Sequence, residues 1–548
     1  MFDYGKRQSN ALKPLLAKEF KEKFFMTSNR FTDALFQLIR SLEKAEKRHF
    51  KLYIKRSSSN ENLKIVQLFD ALDKMNDYDE KILMKKLSPV TKPQLANLKA
   101  HLYKQLLASL RLLKTAVNID LQLSELLDNA RVLYYKGLKM QSFKMLERAK
   151  ELAKTNHKYN FLAQVISLEK KIETLHITRS TLEKTELLTL EAADISVHIE
   201  NVIKLSNLAL LLYRWYVQNG HARNRDDEKG VRSFFKDMLP PDPEKITDFY
   251  ERLYLYQSYC WYAFIRQDFL MYYRYSKKWV DLFDEELLMV TAETGYYIKG
   301  MHTLLNALFN LRNYKIFQTV LSQFEKFAAT PSSNMHDNFR VHTFIYISAA
   351  KLNWHLMTGT FSEGLALIPD IESGLKKYAS YIDLHRILVF NYKIAVLYFG
   401  SGDYAVCIDY LQRIINEHGN LRTDLQCYAR LLHLMAHYEL GNDSIIESLT
   451  RSVYRFMAKM KNLSVVEEEI FKFIRSSFNL SPKQLKPAFE NFLYKIKHLE
   501  KNRFETRAFS YLDVISWVES KVYEKPMNEI LYEKYINSKR RIYIELRD

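Results

Sequence analysis

The sequence predicts an all-α protein, a stack of antiparallel helical hairpins with an N-terminal helical domain. Three observations lead there. Charged-and-apolar segments of helical period run through the 548 residues, and no convincing strand series interrupts them. Glycine is scarce, 13 in all with none between Gly5 and Gly137, which leaves little room for hairpin-rich sheets or for loops that cradle phosphates. Residues 391–416, NYKIAVLYFGSGDYAVCIDYLQRIIN, have the form of two short helices joined by Ser401-Gly402-Asp403, and looser versions recur along most of the chain.

Composition sets the class. A chain of this length exceeds one compact core, but a repeat array grows by stacking units. The hydrophobic share of 47% and aromatic share of 14% argue against general disorder. Cys260, Cys407 and Cys427 have no CxxC spacing, which speaks against a disulfide framework or a zinc knuckle and for a reducing compartment. The charged start lacks the apolar core of a secretory signal. No run reaches the roughly 18 apolar residues of a membrane span; the nearest, 208–217, contains Arg214. The expected location is cytoplasmic. The net charge of +18 is uneven. Residues 1–120 hold 24 Lys and Arg against 13 Asp and Glu, residues 451–548 contribute +7, and the middle is neutral. Basic ends point to an acidic partner, nucleic acid or lipid headgroups, or else to lysine-rich solubilising faces.

In chain order, residues 1–26 read as a basic tail, or as an extension upstream of a start at Met26. Ser28 and Asn29 are good cap types for a helix from Phe31 to about Lys55. Its apolar face is Leu35, Leu38, Ile39, Leu42, Ala45, His49 and Tyr53, and its opposite face carries the basic patch Arg40, Lys44, Lys47, Lys51 and Lys55. Helices at about 61–75, 78–87 and 93–117 complete an N-terminal helical domain, 27–117. Residues 118–239 form a first helical-hairpin segment, ending in the charged loop 221–230 and the break Pro240-Pro241-Asp242-Pro243. Repeats resume over 240–464, and 465–548 are expected as C-terminal capping helices.

Residues 391–419 resemble a tetratricopeptide repeat. Ile394, Ala395 and Tyr398 sit at the large, small and aromatic places of the first helix. Gly402-Asp403-Tyr404 matches the turn, Cys407 takes the small crossing position, and Leu411 the large position of the second helix. Small residues let two helices approach, and large ones fill the gap to the next hairpin. Ile414 departs from the second Ala and Gly419 replaces the closing Pro. The segment with Gly441-Asn442-Asp443 and the one with Gly359 and Gly364 repeat the pattern weakly. Gly359 and Gly441 lie 43 and 39 residues from Gly402, against about 34 for the standard repeat, so HEAT-like hairpins are the rival label. The chain as a whole also resembles a class of bacterial proteins with such repeats, a likeness that implies no activity. The resemblance implies a right-handed superhelical stack whose concave surface is made of first helices. In the best repeat the groove-facing places fall on Val389, Tyr392, Val396 and Phe399, all apolar. They imply an apolar peptide or partner helix rather than the acidic tails that the family's Lys- and Asn-bearing version holds.

No nucleotide, dinucleotide, serine-hydrolase or zinc-protease motif is present. His433 and His437 share a helix face at i, i+4, yet without a third ligand they read as packed histidines and no metal is assigned. Glu467, Glu468 and Glu469 read as an exposed first turn, where carboxylates favour the helix dipole. Glu43 and Glu46 dilute the basic patch, and no groove-reading motif accompanies it. The expected function is a non-enzymatic scaffold without cofactor that binds a protein or peptide. The alternative is a nucleic-acid-associated accessory protein using the basic N-terminal domain.

Overall fold

The computed structural model describes residues 33–540, apart from 57–59, 88, 176–181, 331–336, 380, 418–421, 461–462, 478–479, 501, 503, 506–508 and 510. The expected tail, Ser28, Asn29 and Phe31 lie outside these. The described residues are all-α, with no strand among them. They divide into two compact units at Leu146/Glu147, so the first unit runs past the expected domain end at 117.

The first unit holds α1 (Ala34–Ser41), α2 (Lys44–Lys55), α3 (Asn60–Asp73), α4 (Glu80–Lys86), α5 (Lys92–Thr115) and α6 (Ile119–Tyr135). The single helix expected over 31–55 is two. Leu42 is extended, and Glu43 starts α2 with a reciprocal capping box to Glu46. The apolar spacing continues across the break, so periodicity could not see it. Asp33 caps α1, accepting from Leu35 N and Phe36 N at 3.0 and 3.1 Å. The long α5, opened by a Thr91/Gln94 capping box with Pro93 in its first turn, packs on α1, α2 and α3. Between them lie Ile39, Phe50, Leu68, Phe69, Leu102 and Leu106, all buried, with the Phe50 and Phe69 rings 4.9 Å apart.

The boundary between the units falls within α7 (Lys139–Thr155). Then follow α8 (Tyr159–Leu175), α9 (Leu182–Asn219), α10 (Arg225–Met238), α11 (Phe249–Ile265), α12 (Phe269–Glu285), α13 (Leu287–Ala292), α14 (Thr294–Asn310) and α15 (Tyr314–Ala329). Next come α16 (Asp337–Thr358), α17 (Phe361–Leu365), α18 (Ile368–Lys377), α19 (Leu384–Ser401), α20 (Tyr404–Ile415), α21 (Thr423–Glu439), α22 (Asp443–Lys459), α23 (Val465–Ser477) and α24 (Pro482–Leu499). The last two described are α25 (Val514–Val522) and α26 (Met527–Arg540).

Two expectations fail here. Residues 221–230 are not all loop, because Asn224 accepts from Asp226 N and Asp227 N at 3.0 and 2.8 Å and starts α10 at Arg225. The acidic run is a first helical turn, where its charge suits the dipole. Second, α9 is long and apolar enough over Glu183–Asn219 to cross a membrane by length and composition. It buries Leu205, Leu208 and Leu212, and packs on α8 and α11.

From α11 onward the helices pair across short turns of one design. A residue in the left-handed region is followed by a polar residue that starts the next helix. The left-handed residues are Gln267, Arg312, Gly359, Gly402 and Gly441, with φ of 56°, 52°, 75°, 87° and 67°. Asp268, Asn313 and Asp403 accept from the backbone N–H three residues on, at 3.1, 3.3 and 3.2 Å. Successive turns are therefore 45, 47, 43 and 39 residues apart, nearer the HEAT range of about 40–47 than the tetratricopeptide period. Two of the five turns use Gln and Arg where glycine is conformationally cheaper.

The 391–416 hairpin is built as expected, with α19 ending at Ser401, Gly402 left-handed, and Asp403 starting α20. Ala395 and Cys407 are fully buried at the crossing. A Cβ on Gly400 would stand 2.3 Å from the Phe361 ring, so that glycine permits the close approach. Glu467 is not exposed. Only 1% accessible, it accepts from the Tyr428 hydroxyl at 2.7 Å. The terminal helices also do more than cap the end of the array. Tyr511 stacks on Tyr428 at 4.3 Å, Trp517 Nε1 donates to Glu439 at 2.6 Å, and Tyr535 lies 4.9 Å from Tyr314. Residues 511–540 thus fold back over helices from α15 to α21. At Gly359 a Cβ would meet the Asn528 carbonyl oxygen at 2.6 Å.

Candidate functional site

The first helices of three consecutive hairpins, α14, α16 and α19, pack in sequence, and α16 contributes to the core clusters of both neighbours. Each buries much of its surface and has a row of half-accessible residues along one face. On α14 that row is Lys299, His302, Asn306 and Phe309; on α16 it includes His342 and Tyr346; on α19 it is Arg386, Val389, Lys393 and Val396. The i, i+3, i+7 spacing of these positions puts each row on one helix face.

The rows meet. The His302 and Tyr346 rings stack at 3.9 Å and 10°, and the His342 ring lies 5.9 Å from Tyr346 at 13°. The Arg386 guanidinium sits over Tyr346 at 5.6 Å. Lys393 Nζ donates to Asn353 Oδ1 and lies 5.7 Å from the Phe309 ring. Lys299 Nζ lies 6.0 Å from the Tyr213 ring of α9. This is a cationic, aromatic-floored face.

Its electrostatics are unusual because the positive charges are not matched. Arg386 has Asp383 at 3.5 Å, a carboxylate that is 61% exposed. Neither Lys299 nor Lys393 has a carboxylate partner among the described residues. Both keep part of their surface open while protein surrounds them on most sides. Burial pushes Lys299 down, and burial with the Arg422 charge pushes Lys393 down to about 8. His302 falls to about 3 through burial first, then the charges of Lys393, Arg386 and Lys299. All three cations are therefore within electrostatic reach of one neutral imidazole. Arg422, by contrast, is held by Asp424 in two hydrogen bonds of 2.8 and 2.9 Å.

The four expected groove residues divide. Val389 and Val396 are on the half-accessible row, partly buried against the core. Tyr392 and Phe399 are 5% and 2% accessible and belong to the core; the Tyr392 hydroxyl donates to Tyr511 O at 3.1 Å. At Tyr392 the returning C-terminal chain meets a place that a single repeat would leave open. Between the two valines the face presents Lys393, which repeat-based reasoning passed over. A lone cation inside an otherwise apolar helix, as in NYKIAV and YYIKGM, was the available signal.

The expected basic patch is in the first unit, on two helices. Arg40 is exposed on α1; Lys44 and Lys55 are exposed on α2. Lys47 pairs with Asp73 at 2.5 Å and Lys51 with Asp70 at 2.7 Å. Lys44, Lys47, Arg48, Lys51, Leu52 and Lys55 line a shallow groove. Arg40, Lys44, Arg48 and Lys55 have no carboxylate partner among the described residues.

His433 and His437 touch edge-to-face at 4.5 Å, and burial pushes His433 down to about 4. Asn442 engages His437 Nδ1 at 2.9 Å. No group of three or more His, Cys, Asp or Glu arranged for a metal occurs among the described residues. A further polar knot joins His157 to Asp248 at 2.9 Å and Glu286 at 2.7 Å, with Tyr159 donating to Asp248. Every member is engaged, and the Asp248 hydrogen bond and both carboxylates raise the His157 pKa. It is a fastening between helix ends. A scan against protein-family models gives no match to this chain, and neither does a search of curated proteins.

Proposed function

We propose that this protein is a non-enzymatic cytoplasmic scaffold, a tetratricopeptide-like right-handed stack that receives a partner protein or peptide on the half-accessible face of α14, α16 and α19. The supporting observation is the pair Lys299 and Lys393. Leaving two cations half-buried without a counter-charge costs stability, and such groups are retained where a partner supplies the charge. Val389 and Val396 beside Lys393 offer apolar contact to the same partner. The expectation of a purely apolar occupant is thereby narrowed to one that also carries negative charge.

Cross-linking followed by affinity capture tests this reading. A partner held by the wild-type protein should be lost with R386E/K393E and kept with K44E/R48E/K55E. The second reading, a nucleic-acid-associated protein, is favoured by the exposed Lys44, Arg48 and Lys55 along one groove. It requires the opposite outcome, with retention of DNA or RNA falling steeply as salt rises.

A further inference from the structure

We infer that a second copy of this chain packs antiparallel on the open face of α9, about a two-fold axis at Asn207. The inference goes beyond the scaffold reading and uses none of the residues on α14, α16 and α19.

The helix is apolar on two sides. One side buries Leu188, Ile195, Leu205, Leu208 and Leu212, where α9 packs on α8 and α11. A surface helix needs only that one stripe. Yet Val197, Ile203, Leu210, Leu211 and Val217 are each between 39% and 64% exposed. They extend over about 30 Å of helix, a patch rather than scattered surface residues.

A polar row runs down this open face and decides what fits it. Glu200, Asn207 and Arg214 are exposed and seven residues apart, so they share one row. Ile203, Lys204, Leu210 and Leu211 stand three or four residues from Asn207, along the two edges of the row. An antiparallel two-fold at Asn207 sets Glu200 against Arg214 of the second copy and Arg214 against its Glu200. On the axis the two Asn207 amides complete each other's hydrogen bonds. Along one edge the same axis brings Ile203 of each copy to Leu210 of the other; along the other edge the Lys204 stem covers Leu211.

The charges of the whole helix run the same way. All five carboxylates of α9 lie at or before Glu200, and Lys204 and Arg214 come after it. Antiparallel pairing therefore opposes unlike charges, where parallel pairing opposes like ones. Arg214 has no carboxylate partner among the described residues. Glu200 holds Lys204 at 2.6 Å, but the two are 64% and 61% exposed, a weak surface pair. A bilayer, which the length and composition of α9 would also suit, would have to take the polar row into hydrocarbon. The apolar edges supply affinity and the polar row fixes the register, as a lone Asn does in coiled coils.

Sedimentation equilibrium of the full chain tests this. The wild type is expected to be a dimer. L210E and R214E should each weaken association at least about tenfold with helical circular dichroism and melting unchanged, since both side chains are exposed. The charge exchange E200R/R214E should restore association to within about threefold of wild type. Mild oxidation then reads the geometry, because Cys260, Cys407 and Cys427 are all buried. N207C should form an interchain disulfide, E200C alone should not, and E200C mixed with R214C should. A wild type that stays monomeric, or a dimer that L210E and R214E leave intact, overturns the inference. So does a dimer that E200R/R214E fails to restore, or an E200C chain that cross-links to itself as readily as N207C, which is parallel pairing. A monomer that releases a foreign protein or a lipid vesicle with L210E assigns the face to that occupant and overturns the inference as well.

Discussion

The lysines of α2 and the lysines of α14 and α19 carry the same charge in opposite circumstances. Lys47 and Lys51 stand in a dense basic run, each answered by an aspartate of α3. Lys299 and Lys393 are isolated within apolar helices, and no carboxylate answers them among the described residues. The conspicuous patch is thus partly a set of ordinary surface ion pairs, each of small net value. The inconspicuous pair holds the unbalanced charge. Density of basic residues along a sequence measures solvation as much as binding; burial without compensation is the more selective mark of a site.

The largest expected effect is at Lys393. Lys393→Met should raise the stability of the second unit, by on the order of 3 kcal/mol at most given a pKa near 8 in place of 10.5. Thermal unfolding reads this directly; a fall as large as a core truncation would mean that the ammonium is compensated, and the contrast would collapse. The pH dependence follows from the same group. Its folded pKa is depressed, so between about pH 8 and 10.5 the unfolded chain binds more protons, and this lysine's contribution makes stability rise with pH. That slope should be absent in Lys393→Met.

His157 sharpens the comparison from the paired side. Its pKa is raised above 6.5 by Asp248 and Glu286, so its contribution is fully present below pH 6.5 and lost as pH rises through the folded value. Replacement by Gln should destabilise the protein by about 1–2 kcal/mol at pH 6 and by less at pH 9, as denaturant unfolding at the two pH values would show. Equal losses would deny the histidine its charge. The smallest effect belongs to the surface pairs. Lys47→Gln and Lys51→Gln should each change stability by less than about 1 kcal/mol, and less still at high salt. A larger loss measured by denaturant titration would make the α2 patch structural.

Part of the fold was legible because local rules suffice for it. Apolar period and glycine scarcity give helices, and Gly402-Asp403 gives a turn. The hairpins over 250–283 and 304–327 were legible from their apolar period, but the residues at their turns, Gln267 and Arg312, carry no glycine signature, because a left-handed residue need not be glycine when packing on both sides holds it there. The break at Leu42-Glu43 was missed for a related reason: two short helices can share one apolar period. Of the four groove residues that the repeat resemblance implied, Val389 and Val396 lie on the accessible row. Tyr392 was misplaced because the segment that meets it begins more than a hundred residues later, at Tyr511, and Phe399 because it packs within its own hairpin, its ring 5.3 Å from that of Tyr404.

By itself, then, the sequence determined the helices, most of their ends, and the small residues Ala395, Gly400 and Cys407 at the crossing, since backbone hydrogen bonding and side-chain size act over a few residues. Only the tertiary structure decided which face of those helices stays open and what charge it bears. Accessibility depends on every element packed nearby, and whether a lysine is paired depends on carboxylates from helices distant in the chain. Lys47 found one and Lys393 did not, and the aspartate that decides it, Asp73, stands 26 residues from Lys47 in the chain.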